Sequence, residues 1–150
     1  MVREHHHRNV RLKALALCLL SLSGGATLAA GLPAIDKPLT DKPGDPANGL
    51  KVAIDTERGD CSICHVLPIP GAPPDAFGNI GPPLAGVASR LTVPELRQRI
   101  VNAKVISPET LMPAYFVTQG LTRVDPKYAG KPILTAQEVE DLVAYLATLK

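Results

Sequence analysis

Cys61-Ser62-Ile63-Cys64-His65 constrains this chain more than any other stretch. Two thiols separated by two residues fit on one helical turn and can reach the two vinyl groups of a single porphyrin, forming thioethers. The imidazole that follows at once then projects over the face of the macrocycle, within bonding distance of an iron. This is the attachment signature of a c-type haem. Two other uses of paired cysteines fit less well. A structural zinc site requires four ligands, and a thioredoxin-like dithiol belongs in a βαβ setting. The sequence offers neither context. A haem in the core also accounts for an aromatic content of 3% with no Trp in 150 residues, because the porphyrin supplies much of the apolar area that aromatic side chains provide elsewhere.

Residues 1–30 have the pattern of a secretory signal peptide. Arg3, Arg8, Arg11 and Lys13 form a positive leading region, residues 12–22 are a short apolar stretch, and Thr27-Leu28-Ala29-Ala30 offers the small residues of a cleavage site. The apolar stretch is short for a membrane span, and the cleavage pattern favours removal over a retained anchor. Cys18 follows Leu17, which is not the small residue a lipoprotein signal requires, and the run His5 to His7 sits in the segment to be removed. Cleavage near Ala30 takes four of 16 basic residues and one of 14 acidic ones, leaving 12 against 13, a charge of −1. The net +2 of the whole chain therefore belongs to the signal and is no argument for a nucleic-acid partner. Export also suits thioether attachment, which in bacteria takes place outside the cytoplasm. A periplasmic protein, free of the membrane after cleavage, is expected.

The same cut permits an argument by elimination. Residues 31–150 contain two cysteines, Cys61 and Cys64, one histidine, His65, and one methionine, Met112. With both thiols on the haem, no free cysteine is left for nucleophilic or redox chemistry. With His65 as one axial ligand, Met112 is the other strong side-chain candidate for the iron. A methionine more often fills a core. Its uniqueness, and its place in the Pro-bounded stretch Leu111-Met112-Pro113, favour iron ligation here.

No βαβ pattern or internal repeat appears, and the regular elements all read as helices. Residues 31–44, rich in Pro, Gly, Asp and Lys, form an extended arm before a domain spanning 45–150. Asp45-Pro46 caps and starts a first helix, with Ala47, Leu50, Ala53 and Ile54 on one face. Gly49 costs that helix about 1 kcal/mol relative to Ala; close approach by another helix and ordinary tolerance explain it equally well. Residues 66–83 carry six prolines, which forbids a regular helix and makes a loop able to wrap the porphyrin edge. Thr92 and Glu95 make a capping box for a second helix whose apolar face is Leu96, Ile100 and Val101, with Arg97, Gln98 and Arg99 assigned to a solvated face. Residues 117–132 are irregular. A second capping box, Thr135 with Glu138, opens a last helix whose stripe is Val139, Leu142, Val143, Leu146 and Leu149, with Tyr145 placed to pack across Gly49.

This scheme resembles the class I cytochromes c, an all-α fold in which one haem is enclosed by three to four helices and long Pro-rich loops. The matching residues are Gly49, Cys61, Cys64, His65, Pro82, Leu84, Met112 and Tyr145. The motif lies after the first helix, unlike in four-helix cytochrome c′, where it lies near the C-terminus. The resemblance implies a crosswise packing of the first and last helices and a Pro82 carbonyl that accepts the Nδ1–H of His65, which would fix its tautomer. The stretches Leu39-Thr40-Asp41-Lys42-Pro43-Gly44-Asp45-Pro46, Gly81-Pro82-Pro83-Leu84, Thr110-Leu111-Met112-Pro113 and the run 130–141 resemble the SoxX family, the mono-haem subunits of the SoxAX complex. What this implies is a heterodimer with a SoxA-type haem subunit. That complex, an L-cysteine S-thiosulfotransferase, joins thiosulfate to a carrier-protein cysteine and removes two electrons. The SoxX-like chain would carry one haem c, relay electrons to a downstream acceptor cytochrome, and perform no catalysis itself. The residues leave two other readings open. One is a free-standing periplasmic electron shuttle of the same fold. The other is a haem enzyme or gas sensor with an open iron position, which requires Met112 to be unbound.

Overall fold

The computed structural model describes residues 33–150, so the signal peptide expected over 1–30 lies outside the described residues. Three α-helices are present: α1 (Pro46–Ile54), α2 (Val93–Asn102) and α3 (Ala136–Thr148). Short 3-10 turns at Cys61–Ile63, Pro74–Ala76, Val87–Ser89, Ala103–Val105 and Pro126–Tyr128 punctuate long loops, and there is no strand among the described residues.

Each helix begins where the sequence places a cap. The Asp45 carboxylate accepts from the amide of Ala47, 2.9 Å away, with Pro46 at the first helical position, where its missing N–H costs nothing. Thr92 with Glu95 and Thr135 with Glu138 both form complete capping boxes. Two orphan amide donors at each end are thereby satisfied.

The core is built where α1 crosses α3, with α2 packed against α3. Val52 and Ala53 of α1 meet Val139, Leu142, Val143 and Leu146 of α3, all under 9% exposed; each such side chain fully removed from water contributes about 1.5–3 kcal/mol. Gly49 sets the distance of closest approach. A Cβ there would run into the Asp141 carbonyl and the Cβ of Tyr145. This close approach also turns α1 about its axis relative to the sequence reading. Its buried face is Gly49, Val52 and Ala53, while Ala47 and Ile54 are exposed.

Burial of charge corrects a second expectation. Arg97 and Gln98 of α2 do not face solvent: they are 4% and 8% exposed. The planar guanidinium of Arg97 grips both oxygens of Glu140 on α3, with Nε at 2.7 Å and Nη2 at 2.9 Å. A bidentate pair of this kind satisfies the fork geometry of arginine. Burial alone would raise the Glu140 carboxyl, but the Arg97 hydrogen bonds, the Leu39 amide and the Arg97 charge together hold it below its ordinary 4.5.

The same pair fastens the extended arm. Arg97 Nη1 donates to the Ile35 carbonyl at 2.7 Å, and the Leu39 amide donates to Glu140 at 3.0 Å. Asp141 next to it accepts from the Asp45 amide at 2.8 Å and from the Asn48 amide group at 2.6 Å. Charged residues in two helices thus secure a segment that has no regular structure of its own.

Candidate haem site

The cysteine pair sits on the 3-10 turn that follows α1. Gly59 donates to the Val52 carbonyl at 3.2 Å, and Asp60 takes a left-handed conformation (φ 42°), turning the chain sharply into Cys61. The amides of Cys64 and His65 then both return to the Cys61 carbonyl, at 3.2 and 2.8 Å. This local coil puts Cys61, Cys64 and His65 on the wall of one cavity.

His65 is held from behind. Residues 78–84 run alongside 62–66, with Gly78, Gly81 and Leu84 amides donating to the carbonyls of Ser62, Cys64 and Val66 at 2.8, 2.8 and 2.9 Å. Within that run the Pro82 carbonyl lies 2.7 Å from His65 Nδ1. A carbonyl can only accept, so Nδ1 carries the proton and Nε2 keeps its lone pair for a metal. Gly81 lies against the ring so closely that a Cβ would collide with it. Arg90 stiffens the same loop, donating to the carbonyls of Pro83 and Ala85 at 2.9 Å each.

Met112 lies on the same cavity wall, in the stretch after α2. Its amide donates to Thr110 Oγ1 at 3.2 Å, and Lys104 Nζ donates to the Thr110 carbonyl at 2.7 Å. Tyr115 then joins the two sides: its hydroxyl donates to the Gly59 carbonyl at 2.8 Å, just before the cysteine pair. Burial, followed by the nearby Cys61 and Cys64 thiols, raises that phenol above its ordinary value. Burial likewise pushes the Cys61 thiol up to about 12, with the Asp60 carboxylate adding to the effect.

The cavity measures about 900 Å³ and its wall is mostly apolar, with Leu96, Ile100, Leu142 and Leu146 contributed by α2 and α3. Its donor set suits a haem: two cysteines, one imidazole nitrogen with a free lone pair and one thioether. All four residues singled out in the sequence therefore meet at one cavity. Sequence reasoning missed Gly81, Arg90, Tyr115 and Arg99, which also line it. Arg99 alone left a legible sign, since it falls in register with the apolar residues Leu96, Ile100 and Ala103.

Comparison with known proteins is direct. The sequence model of cytochrome c matches residues 46–150, most of the chain. The chain belongs to the cytochrome c family. Among solved structures, this cytochrome resembles a chain of the crystal structure of SoxXA from P. pantotrophus, with 38% identity and a TM-score of 0.69, over 79% of the cytochrome and 90% of that chain. No curated protein matches the cytochrome in sequence. Its family binds haem c covalently, and Cys61, Cys64 and His65 fit the family's attachment motif. The all-helical fold expected from the sequence is the cytochrome c fold. Family and likeness together make this a SoxX-like, haem-carrying electron-transfer cytochrome. Among the described residues no helix is long and apolar enough to cross a membrane.

Proposed function

We propose that the chain carries a single haem c through Cys61 and Cys64, with His65 and Met112 as the axial ligands, and serves as the electron-relay subunit of a periplasmic SoxXA-type complex. The observation that carries this reading is the meeting of the lone histidine and lone methionine of residues 31–150 on the wall of the cavity that the cysteine pair lines. Haem c, when bound, supplies a one-electron couple, and His/Met ligation favours a relatively high reduction potential.

The polypeptide's own contribution is positional. Pro82 fixes the tautomer of His65 and raises its basicity as a ligand. Gly81 leaves room for the ring, and the apolar faces of α2 and α3 exclude water. With both cysteines committed to attachment, no spare thiolate remains for catalysis, so bond-making on the sulfur substrate falls to the partner, a SoxA-type haem subunit that joins thiosulfate to a carrier-protein cysteine. The electrons released there would pass through this subunit to an acceptor cytochrome.

Mass spectrometry of the secreted chain tests the cofactor: it should show cleavage near Ala30 and the mass of one haem. Co-expression with a SoxA-type chain and sizing chromatography tests the assembly: the two should elute as a heterodimer. A haem-loaded chain that elutes alone under these conditions would indicate a free-standing shuttle, and a chain without haem would remove the whole reading.

A further inference from the structure

Asn48 stands directly before Gly49 in α1. An asparagine in that position is prone to cyclise, because glycine has no side chain to keep its own amide nitrogen away from the asparagine carbonyl carbon. Asn79 and Asn102, the other asparagines of the described residues, precede Ile80 and Ala103, whose side chains hinder the same approach. The fold forces the susceptible pair on α1. A Cβ at position 49 would run into the Asp141 carbonyl and the Tyr145 Cβ, so glycine is required where the helices cross.

The same crossing ties up both reacting groups. The Gly49 N–H donates to the Asp45 carbonyl at 2.8 Å, within the first turn of α1. Asn48 Nδ2 donates to Asp141 Oδ2 at 2.6 Å. The other oxygen of Asp141 accepts from the Asp45 amide and from Gln137 Nε2, each at 2.8 Å. Asn48 is half-buried and Gly49 is buried. Attack by the Gly49 nitrogen therefore requires the first turn of α1 to open and Asn48 to leave Asp141, a local unfolding at the point where α1 meets α3.

We propose that Asn48 is a deamidation site gated by the α1–α3 crossing: it reacts in chains whose crossing is open, and its product weakens the crossing when it closes again. The Gly49 nitrogen gives up its proton and bonds to Asn48 Cγ, the Cγ–Nδ2 bond breaks, and ammonia leaves with that proton. Water then opens the succinimide at either carbonyl, leaving aspartate or isoaspartate, with no oxidant or reductant involved. Aspartate faces Asp141 with a carboxylate where an amide donated before, and like charges at hydrogen-bond distance repel. Isoaspartate lengthens the backbone at the crossing itself. The reaction involves no haem, so it stands or falls separately from the haem site.

The test incubates the secreted, haem-loaded chain at one pH and temperature, in native buffer and in urea that unfolds it. Peptide mapping by mass spectrometry follows aspartate and isoaspartate at position 48, with Asn79 and Asn102 as internal references. Conversion at Asn48 should be at least about tenfold faster in urea, because the rate tracks the population of the open form, while both references stay largely intact. Equal rates in the two conditions would overturn the gate, and an Asn48 that survives urea would overturn the site. Asn48→Asp copies one product. A carboxylate in the first turn of a helix is ordinarily favourable, so a lower urea midpoint for this variant reports its encounter with Asp141. Asn48→Asp combined with Asp141→Asn exchanges donor and acceptor and should recover the midpoint. An Asn48→Asp chain as stable as wild type would show that the product leaves the crossing unharmed, against the second half of the proposal.

Discussion

The two walls of the cavity that present His65 and Met112 are built on different plans. The histidine wall is a double layer: residues 78–84 lie along 62–66, the Pro82 carbonyl grips Nδ1, Gly81 abuts the ring, and Arg90 braces the loop from outside. The methionine wall is a single strand of irregular chain, pinned at Thr110 and again where Tyr115 and Phe116 donate to the Ile100 and Val101 carbonyls at 3.2 and 3.3 Å. Leu111, between those pins, is 80% exposed. The imidazole is therefore preorganised, whereas the Met112 stretch can open locally, so the proposed thioether ligand lies on the lower-stability segment. With iron held as proposed, ligand exchange should begin on the methionine side.

The largest expected effect breaks the stiffer wall. Gly81→Ala puts a Cβ into the His65 ring, and either the ring or the loop must shift. We expect a loss of about 3 kcal/mol or more in stability, measured by denaturant unfolding, together with loss of the low-spin haem spectrum. Met112→Ala tests the softer wall and should cost less, about 2–3 kcal/mol. It should keep covalent haem, lower the potential and open the ferric iron to cyanide. If the two variants disturbed His65 equally, the distinction between the walls would be lost.

A finer probe is Thr110→Ala, which removes the hydroxyl that holds the Met112 amide and should cost about 1 kcal/mol. Its signature is faster binding of external ligands to the ferric protein, by several-fold, at nearly unchanged potential. Acid comes last, because Glu140 loses nothing until the pH falls below its ordinary 4.5. A carboxyl held low in the folded state contributes stability that is fully present above the unfolded value and disappears as the pH falls through the folded one. The Arg97–Glu140 pair joins α2 to α3, two helices that both contribute to the cavity wall, so acid unfolding should release His65 and Met112 in one transition. Separate loss of Met112 ligation and of low-spin character on acidification would show that the walls unfasten independently.

The contrast also explains what the sequence could reveal. The capping residues Thr92, Glu95, Thr135 and Glu138 act within a few positions of one another, so their spacing suffices to place α2 and α3. Cys61, Cys64 and His65 are equally local. Met112 is distant, and was legible because residues 31–150 contain a single methionine. Arg97 misled for the opposite reason. A charge on a helix is ordinarily solvated, and its burial depends on Glu140, 43 positions later, whose location only the packed helices define. Likewise the rotation of α1 follows from the closeness of the Gly49 crossing, a distance in space that helical periodicity does not encode. Arg90 and Tyr115 bond to backbone carbonyls, which carry no sequence signature at all.

The clasp between the arm and α3 joins Leu39 to Glu140 and Asp45 to Asp141, separated by 101 and 96 positions. Contacts that span nearly the whole domain carry a large loop-closure entropy and form slowly. A nascent polypeptide cannot buckle this belt until its final helix has emerged.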